Sequence, residues 1–194
     1  MNLKDYEWAQ MGWEKAENPV RRVLLIGDSI TGGYWDTVRG MAEDGMCVDK
    51  YITSKAINDP TYLRELEYFL SYGFKYDVVH FNNGLHGGGT STEYAAHYEG
   101  ILKYILNATN AKVVLALSTP TREISSAEYT ESNNAVIEYN EAVCRIAEKY
   151  GSAVNDLYTT ADGLSEFCTD GIHYTQEGYQ ILGEQVFGFI KGAV

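Results

Sequence analysis

The chain has 194 residues, of which 45% are hydrophobic, an ordinary fraction for one globular domain that can bury a core. Its 15 basic and 27 acidic side chains give a formal net charge of −12, which repels polyphosphate, so we expect no nucleic-acid partner. No stretch approaches the ~20 apolar residues of a membrane helix, and the first residues lack the apolar run of a signal peptide, so we expect no membrane partner.

The cysteines are three in number, Cys47, Cys144 and Cys168, and they show no C-x-x-C spacing. This pattern predicts neither a disulfide framework nor a zinc site, and the four histidines lack paired ligand spacing. We therefore expect no metal and no cofactor. Reduced thiols favour a cytoplasmic protein, although a secreted chain trimmed of its signal would look the same.

Taken in chain order, residues 1–19 come first, and we expect Tyr6, Trp8, Met11 and Trp13 to lie on an arm or helix over the main body. Apolar runs of strand length then recur along the chain, at 23–26, 48–53, 77–81, 112–117 and 152–155. Continuous β-branched runs bounded by turn residues are typical of strands buried on both faces.

Helical patterns of apolar residues, spaced three and four apart, lie between these runs at 60–72, 92–107, 133–149 and 176–191. Thr175 is the predicted N-cap of the last helix. Alternating strands and helices predict an α/β fold, a parallel sheet of about five strands with helices on both faces. No repeat or linker interrupts the pattern, so we expect one domain over residues 1–194.

Ser29 follows the first predicted strand at a tight turn, where a hydroxyl is exposed and the N–H groups of a helix start face developing negative charge. Gly32 and Gly33 would let a substrate approach the backbone. The alternative is an N-cap serine that only starts a helix, and Ser29 alone leaves both interpretations open. The glycine spacing fits neither a P-loop nor a dinucleotide-binding motif, which disfavours phosphate binding.

Asp170 and His173 lie in a glycine-containing loop near the C-terminus. A carboxylate three residues before a histidine can accept a hydrogen bond from one ring nitrogen and leave the other to take a proton from serine. The motif alone also fits a surface loop. Because ligands bind at the carboxyl ends of parallel strands, Ser29 and the Asp-x-x-His motif are expected at the same sheet edge.

Gly27-Asp28-Ser29-Ile30-Thr31, followed by Asp170-Gly171-Ile172-His173, resembles the SGNH/GDSL hydrolase family over residues 22–190. The resemblance implies a three-layer α/β/α flavodoxin-like fold and a serine esterase that cleaves small acyl esters, acetyl in particular, on sugars or lipids. Ser29 would be the nucleophile and an oxyanion donor, His173 the base, and Asp170 its orienting partner, with Asp28 as site support. The expected partner is a small ester, such as an acylated carbohydrate.

Two positions depart from the family pattern. His86 stands where the family's oxyanion asparagine is expected, and Phe81 to His86 resembles a branch with an Asn-x-Gly-Leu-His string. An imidazole N–H can donate as an amide does; Asn82 or Asn83 would substitute if the alignment shifts, and His86 would then only cap a turn.

The second departure is a missing glycine after the second strand, where the N–H of Ala56 is the expected donor. Losing one donor typically costs ~10²–10³ in rate. Two further interpretations remain open, an acyltransferase to a sugar hydroxyl and a catalytically weak binding module. Tyr34, Trp35, Arg122 and Glu123 are candidates to line the pocket, although Tyr and Trp on a helix more often lie in the core.

Overall fold

The computed structural model describes residues 7–14, 21–42 and 46–193. Its strands are β1 (Ala9–Gly12), β2 (Arg21–Gly27), β3 (Met46–Thr53), β4 (Val78–Phe81), β5 (Lys112–Ala116) and β6 (Ala153–Asn155). Its helices are α1 (Ser29–Met41), α2 (Pro60–Leu70), α3 (Ser91–Thr109), α4 (Asn133–Tyr150), α5 (Leu157–Asp162) and α6 (Gln176–Gly192), with a short 3-10 helix at Ser165–Phe167.

The strands form one sheet in the order β1-β3-β2-β4-β5-β6. Strands β2 to β6 are parallel, with Ile26 of β2 aligned to Tyr51 of β3 on one side and to Phe81 of β4 on the other. The five predicted parallel strands are confirmed, and β1 adds a sixth that pairs antiparallel to β3. The sheet is therefore mostly parallel, as the α/β prediction required.

The N-terminal arm is a strand rather than a helix where the structure describes it. Residues 9–12 pair with β3, which places Ala9 opposite Thr53 and Gly12 opposite Lys50. An open sheet edge carries unpaired N–H and C=O groups, and a strand satisfies them where a helix cannot. Trp13 then stacks on Phe69 with ring centroids 4.6 Å apart. Tyr6 and residues 15–19 of the predicted arm lie outside the described residues.

Side chains of the sheet enter two cores, one on each face. In β2, Leu24 and Ile26 pack towards α2, α3 and α4, whereas Val23 and Leu25 pack towards α1, α5 and α6. Successive side chains of a strand point to opposite faces. The uninterrupted apolar run of β2 therefore follows from helices that cover both faces.

Several helix starts follow from local capping. Asp59 caps α2, Thr90 and Glu93 form a capping box on α3, and the predicted cap Thr175 accepts a bond from Gly178 N–H on α6. Because Thr175 fixes the start of α6, it also fixes the loop that carries His173. None of the helices in the described ranges combines the length and apolarity needed to span a bilayer.

Candidate active site

Ser29 is the first residue of α1, directly after the carboxyl end of β2. The helix cap is Asp28, whose Oδ1 accepts a hydrogen bond of 2.9 Å from the Ile30 N–H. The Ser29 hydroxyl is thus not needed as a cap, and its Oγ lies 2.8 Å from His173 Nε2. Of the two interpretations that the sequence left open, the structure supports the one in which the hydroxyl faces a base.

The Asp170–His173 loop closes on itself. Asp170 Oδ1 accepts bonds from the N–H groups of Ile172 (3.1 Å) and His173 (2.7 Å), and its Oδ2 lies 2.8 Å from His173 Nδ1. Thr169 N–H donates to the His173 carbonyl at 2.7 Å, which completes the turn. These contacts place the imidazole between Asp170 and Ser29, so the three predicted residues form one hydrogen-bonded chain.

Asp170 is a carboxylate at all ordinary pH values. Its partial burial opposes ionisation. Hydrogen bonds from the backbone N–H and ring of His173 and from the Ile172 N–H outweigh this effect and lower the pKa of Asp170 to about 2. A carboxylate beside Nδ1 favours the tautomer with the proton on that nitrogen. Nε2 is then free to accept the proton of Ser29.

Gly171 links this loop to the segment after β5. Its φ is +90°, and its carbonyl accepts a bond of 2.8 Å from the Arg122 N–H. A Cβ on Gly171 would lie 2.2 Å from the Arg122 carbonyl oxygen, so only glycine fits there. The Arg122 side chain is buried and bonds to Asp162, which makes it an anchor of this segment rather than the pocket-lining residue that we expected.

Gly32 and Gly33 serve packing instead of substrate access. A Cβ on Gly33 would lie 2.2 Å from the ring of Tyr179 on α6, and one on Gly32 would lie 3.3 Å from Ile52. Tyr34 and Trp35, for which the sequence favoured a core position over the pocket, are packed in the fold: Tyr34 is fully buried, and Trp35 donates from Nε1 to the Val48 carbonyl. Glu123 is exposed, and its N–H donates to the Glu128 carbonyl.

Asp28, the residue before Ser29, is fully buried. Its Oδ2 has no hydrogen-bond partner within the described part of the chain, and burial raises its pKa, an effect that the nearby rings of His86 and His173 oppose. His86 is exposed on the loop after β4, close enough to influence the charge of Asp28. The loop after β4 therefore comes near the site, as the resemblance implied.

The two asparagines of that loop have structural partners. Asn82 Nδ2 donates to the Ala116 carbonyl at 2.8 Å and to Ser118 Oγ at 3.2 Å, so it has no N–H left for an oxyanion. Asn83 Nδ2 donates to the Lys55 carbonyl at 3.1 Å. Asn82 therefore connects the ends of β4 and β5, and it is not the substitute oxyanion donor considered from the sequence. Asn83 connects the loops after β3 and β4.

Ala56 lies half-buried in the loop after β3. We call this loop (residues 54–57) the oxyanion loop, after the role predicted for Ala56. Its N–H has no acceptor in the described ranges, whereas the neighbouring Ile57 N–H donates to the Gly87 carbonyl at 3.3 Å. The Ser29 N–H belongs to the first turn of α1, where N–H groups have no partner within the helix. Both groups remain free to bind a negative charge.

A small, tightly packed cavity lies beside the first turn of α1, and both apolar and polar side chains line it. Its walls include Ile30 of α1, Leu85 of the loop after β4, and Leu117 and Leu157 from beyond β5 and β6. This cavity is too tight to hold a water molecule, so it is a packing space rather than a pocket for an acyl group.

A serine, a histidine and a carboxylate in one hydrogen-bonded chain at the carboxyl edge of a parallel sheet are the arrangement of a serine-hydrolase triad. Residues 25–181 match the model of the GDSL-like lipase/acylhydrolase family. The chain belongs to this family.

Individual relatives are more distant. The human isoamyl acetate-hydrolyzing esterase 1 homolog is 26% identical over 115 residues, which cover 53% of this chain and 46% of that protein. The chain thus spans about half the length of this curated relative.

Solved structures with a similar fold include the acetyl xylan esterase AlAXEase (TM-score 0.73, 19% identity, 87% of this chain and 99% of that one). Axe2, an acetylxylan esterase from Geobacillus stearothermophilus, gives 0.70 at 18% identity over 91% and 95% of the two chains. A lipase/acylhydrolase from Enterococcus faecalis gives 0.69 at 22% identity over 89% and 96%. At these identities the similarity concerns the fold.

Proposed function

We propose that the protein is a serine esterase that cleaves small acyl esters through an acyl-enzyme on Ser29. The observation that carries this proposal is the hydrogen-bonded chain from Ser29 Oγ through the His173 ring to Asp170, with both distances at 2.8 Å. A serine is a weak nucleophile until an adjacent base can take its proton. The free Nε2 of His173 supplies that base.

The reaction follows from this geometry. Ser29 Oγ attacks the ester carbonyl as its proton passes to His173 Nε2, and the carbonyl oxygen takes up the negative charge. His173 then gives the proton to the departing alkoxide, which leaves as an alcohol and leaves an acyl group on Ser29. Water attacks the acyl-enzyme, again losing a proton to His173, and the acid is released as Ser29 regains its hydrogen.

The N–H groups of Ser29 and Ala56 are the proposed donors to the oxyanion, with the His86 ring as the third. His86 in the Asn-x-Gly-Leu-His string replaces the family's asparagine in this proposal, and its position near Asp28 supports the assignment. Donors that face the developing charge are worth about 10²–10³ in rate each. We expect His86→Ala to lower kcat by about that factor at most, and His86→Asn to retain more activity than His86→Ala.

The substrate is proposed to carry a short acyl group, acetyl in particular, because solved structures that share this fold include acetyl xylan esterases. The acetyl xylan esterases with this fold support an acetylated carbohydrate as the alcohol part. Acetate release from acetylated xylooligosaccharides should therefore exceed butyrate release from the corresponding butyryl esters. Acetate release that does not change when a carbohydrate acceptor is added would count against the transferase alternative.

The decisive experiment compares Ser29→Ala with Ser91→Ala, because both serines are the first residue of a helix. With p-nitrophenyl acetate, Ser29→Ala should lose essentially all activity and its labelling by a fluorophosphonate probe, whereas Ser91→Ala should keep both. If Ser29→Ala hydrolyses the ester at the wild-type rate, the proposed function is wrong.

Two expectations accompany this proposal. We propose a single domain over residues 1–194, and a cytoplasmic location on the basis of Cys47, Cys144 and Cys168, none of which forms a disulfide. Measuring thiol accessibility in intact cells and in lysate would test the second expectation, because an oxidising compartment would leave modified thiols.

A further inference from the structure

The segment before β1 continues the sheet pairing towards the active-site edge. Beyond Ala9, the Trp8 carbonyl accepts bonds from the N–H of Ser54 (3.0 Å) and from the hydroxyl of Thr53 (3.1 Å). In the other direction, the Trp8 N–H donates to Ser54 Oγ at 2.8 Å. Trp8 is thus tied to the first residue of the oxyanion loop by a reciprocal pair of bonds.

An ion pair follows one residue further on. Lys55 is a buried cation, with only 9% of its side chain exposed, and its Nζ lies 2.8 Å from Glu7 Oε2 and 3.6 Å from Glu65 Oε1. A buried ammonium is costly unless a carboxylate compensates it. Glu7 is the closer of the two carboxylates, so the N-terminal segment supplies the main counter-charge for a residue of the oxyanion loop.

The same loop is held from the opposite side by the loop after β4. Asn83 Nδ2 bonds to the carbonyl of Lys55, and Gly87 accepts from the N–H of Ile57. Ala56 lies between these two anchored residues, and its own N–H is unpaired in the described ranges. The direction of this N–H is therefore set by the contacts of its neighbours.

We propose that residues 7–12 form a positioning element of the catalytic machinery, which holds the oxyanion loop through Trp8–Ser54 and Glu7–Lys55 so that the Ala56 N–H faces the substrate. The inference rests on the proposed esterase function and adds to it a role for a segment that lies outside the matched family region, residues 25–181. Lys55 and Glu7 do not touch substrate; they act through Ala56.

The test uses Lys55→Met, which keeps the length of the stem but removes the cation, and Lys55→Arg, which restores it. Lys149→Met is the matched control. Lys149 also forms a Lys–Glu ion pair, but on the surface, with its Nζ 3.0 Å from Glu99 Oε1. Glu7→Gln removes the partner charge but keeps the size of a side chain that is 62% exposed, and Glu65 remains near Lys55 as a second carboxylate.

The expected result is a separation of kcat from KM. Lys55→Met should lower kcat for p-nitrophenyl acetate by about 10- to 100-fold and change KM by less than about twofold. This decrease in kcat does not exceed the decrease expected when a whole oxyanion donor is removed. Glu7→Gln should show a smaller loss of the same kind, Lys55→Arg should recover most of kcat, and Lys149→Met should equal wild type.

Amide hydrogen exchange of residues 54–57 gives an independent measure. Exchange should accelerate in Lys55→Met and Glu7→Gln but not in Lys149→Met, because only the first two loosen the loop. Unchanged exchange together with unchanged kcat in Lys55→Met would overturn the inference, as would faster exchange without any loss of kcat. Failure of the proposed function has a different signature, since Ser29→Ala would then retain activity whatever the Lys55 variants do.

Discussion

Replacing Gly171 by alanine tests how strictly the catalytic loop is fixed. Two penalties arise at this position. A φ of +90° strains any side chain with a Cβ by about 1–2 kcal/mol, and the new Cβ would lie 2.2 Å from the Arg122 carbonyl oxygen. Relieving that overlap requires a backbone shift of about 1 Å, which also weakens the Arg122–Gly171 hydrogen bond at a cost of about 1 kcal/mol.

Gly151→Ala is the matched control. Gly151 ends α4 with φ +66°, but a Cβ there would meet no atom within 4 Å, so only the conformational strain applies. We expect about 3 kcal/mol of destabilisation for Gly171→Ala and about 1 kcal/mol for Gly151→Ala. For a protein of this size each 1 kcal/mol shifts Tm by about 2–4 °C, so thermal unfolding should separate the two variants clearly.

The functional consequence should be larger than the loss of stability. Gly171 lies between Asp170 and His173, and a misplacement of about 1 Å in a catalytic group can cost ~10² in rate. At a temperature where both variants are folded, Gly171→Ala should show this loss of kcat for p-nitrophenyl acetate, while Gly151→Ala should remain near wild type. Equal Tm and equal kcat in the two variants would refute the reasoning from the Arg122 contact.

Three further changes probe the electrostatics. Asp170→Asn should lower kcat by about 10²–10⁴ with little change in KM, because an amide N–H facing Nδ1 favours the wrong imidazole tautomer; an Asn variant as active as wild type would exclude the orienting role. Burial lowers the pKa of His80 to about 3, so the fold loses stability as pH falls from about 6.5 towards 3, at up to about 1.4 kcal/mol per pH unit. In urea unfolding His80→Leu should flatten that slope, and an unchanged slope would contradict the assignment. Asp49→Asn should cost about 3–5 kcal/mol because Arg22 is buried and loses its partner, whereas the exposed control Glu141→Gln should cost less than about 0.5 kcal/mol; similar Tm values for the two would contradict this.

The parallel sheet could be predicted from the sequence because its strands are buried on both faces. Residues 113–117 are all apolar and fit that environment, and the spacing of such runs leaves room for crossover helices. β1 could not be predicted in this way, since Ala9–Gly12 shows no β-branched run or alternation. Its strand conformation comes from the open edge of β3, which is a tertiary contact.

The glycines of α1 show a second limit of pattern reasoning. Gly32 and Gly33 lower the helix propensity of the segment and suggested room for a substrate. In the fold, Gly33 admits the ring of Tyr179, and Gly183 of α6 lies against Thr37 of α1. Close packing of two helices therefore explains residues that looked like part of a binding loop.

For the site, chain order and sheet topology were sufficient to bring Ser29, Asp170 and His173 together, because residues that follow parallel strands meet at one edge. Their catalytic roles stay predictions until the variants are measured. Lys55 and Asn83 gave a weaker signal. A lysine is usually exposed, and only the fold reveals that Lys55 is buried beside Ala56 with a partner 48 residues away.

The antiparallel β1 also bears on self-association. Without it, the backbone of Lys50 to Thr53 in β3 would also be open, and such an edge is a template for pairing with another chain. The opposite edge, β6, has only three residues, which is too short to recruit a partner strand effectively. Loss of the N-terminal segment is therefore expected to make the protein prone to aggregation.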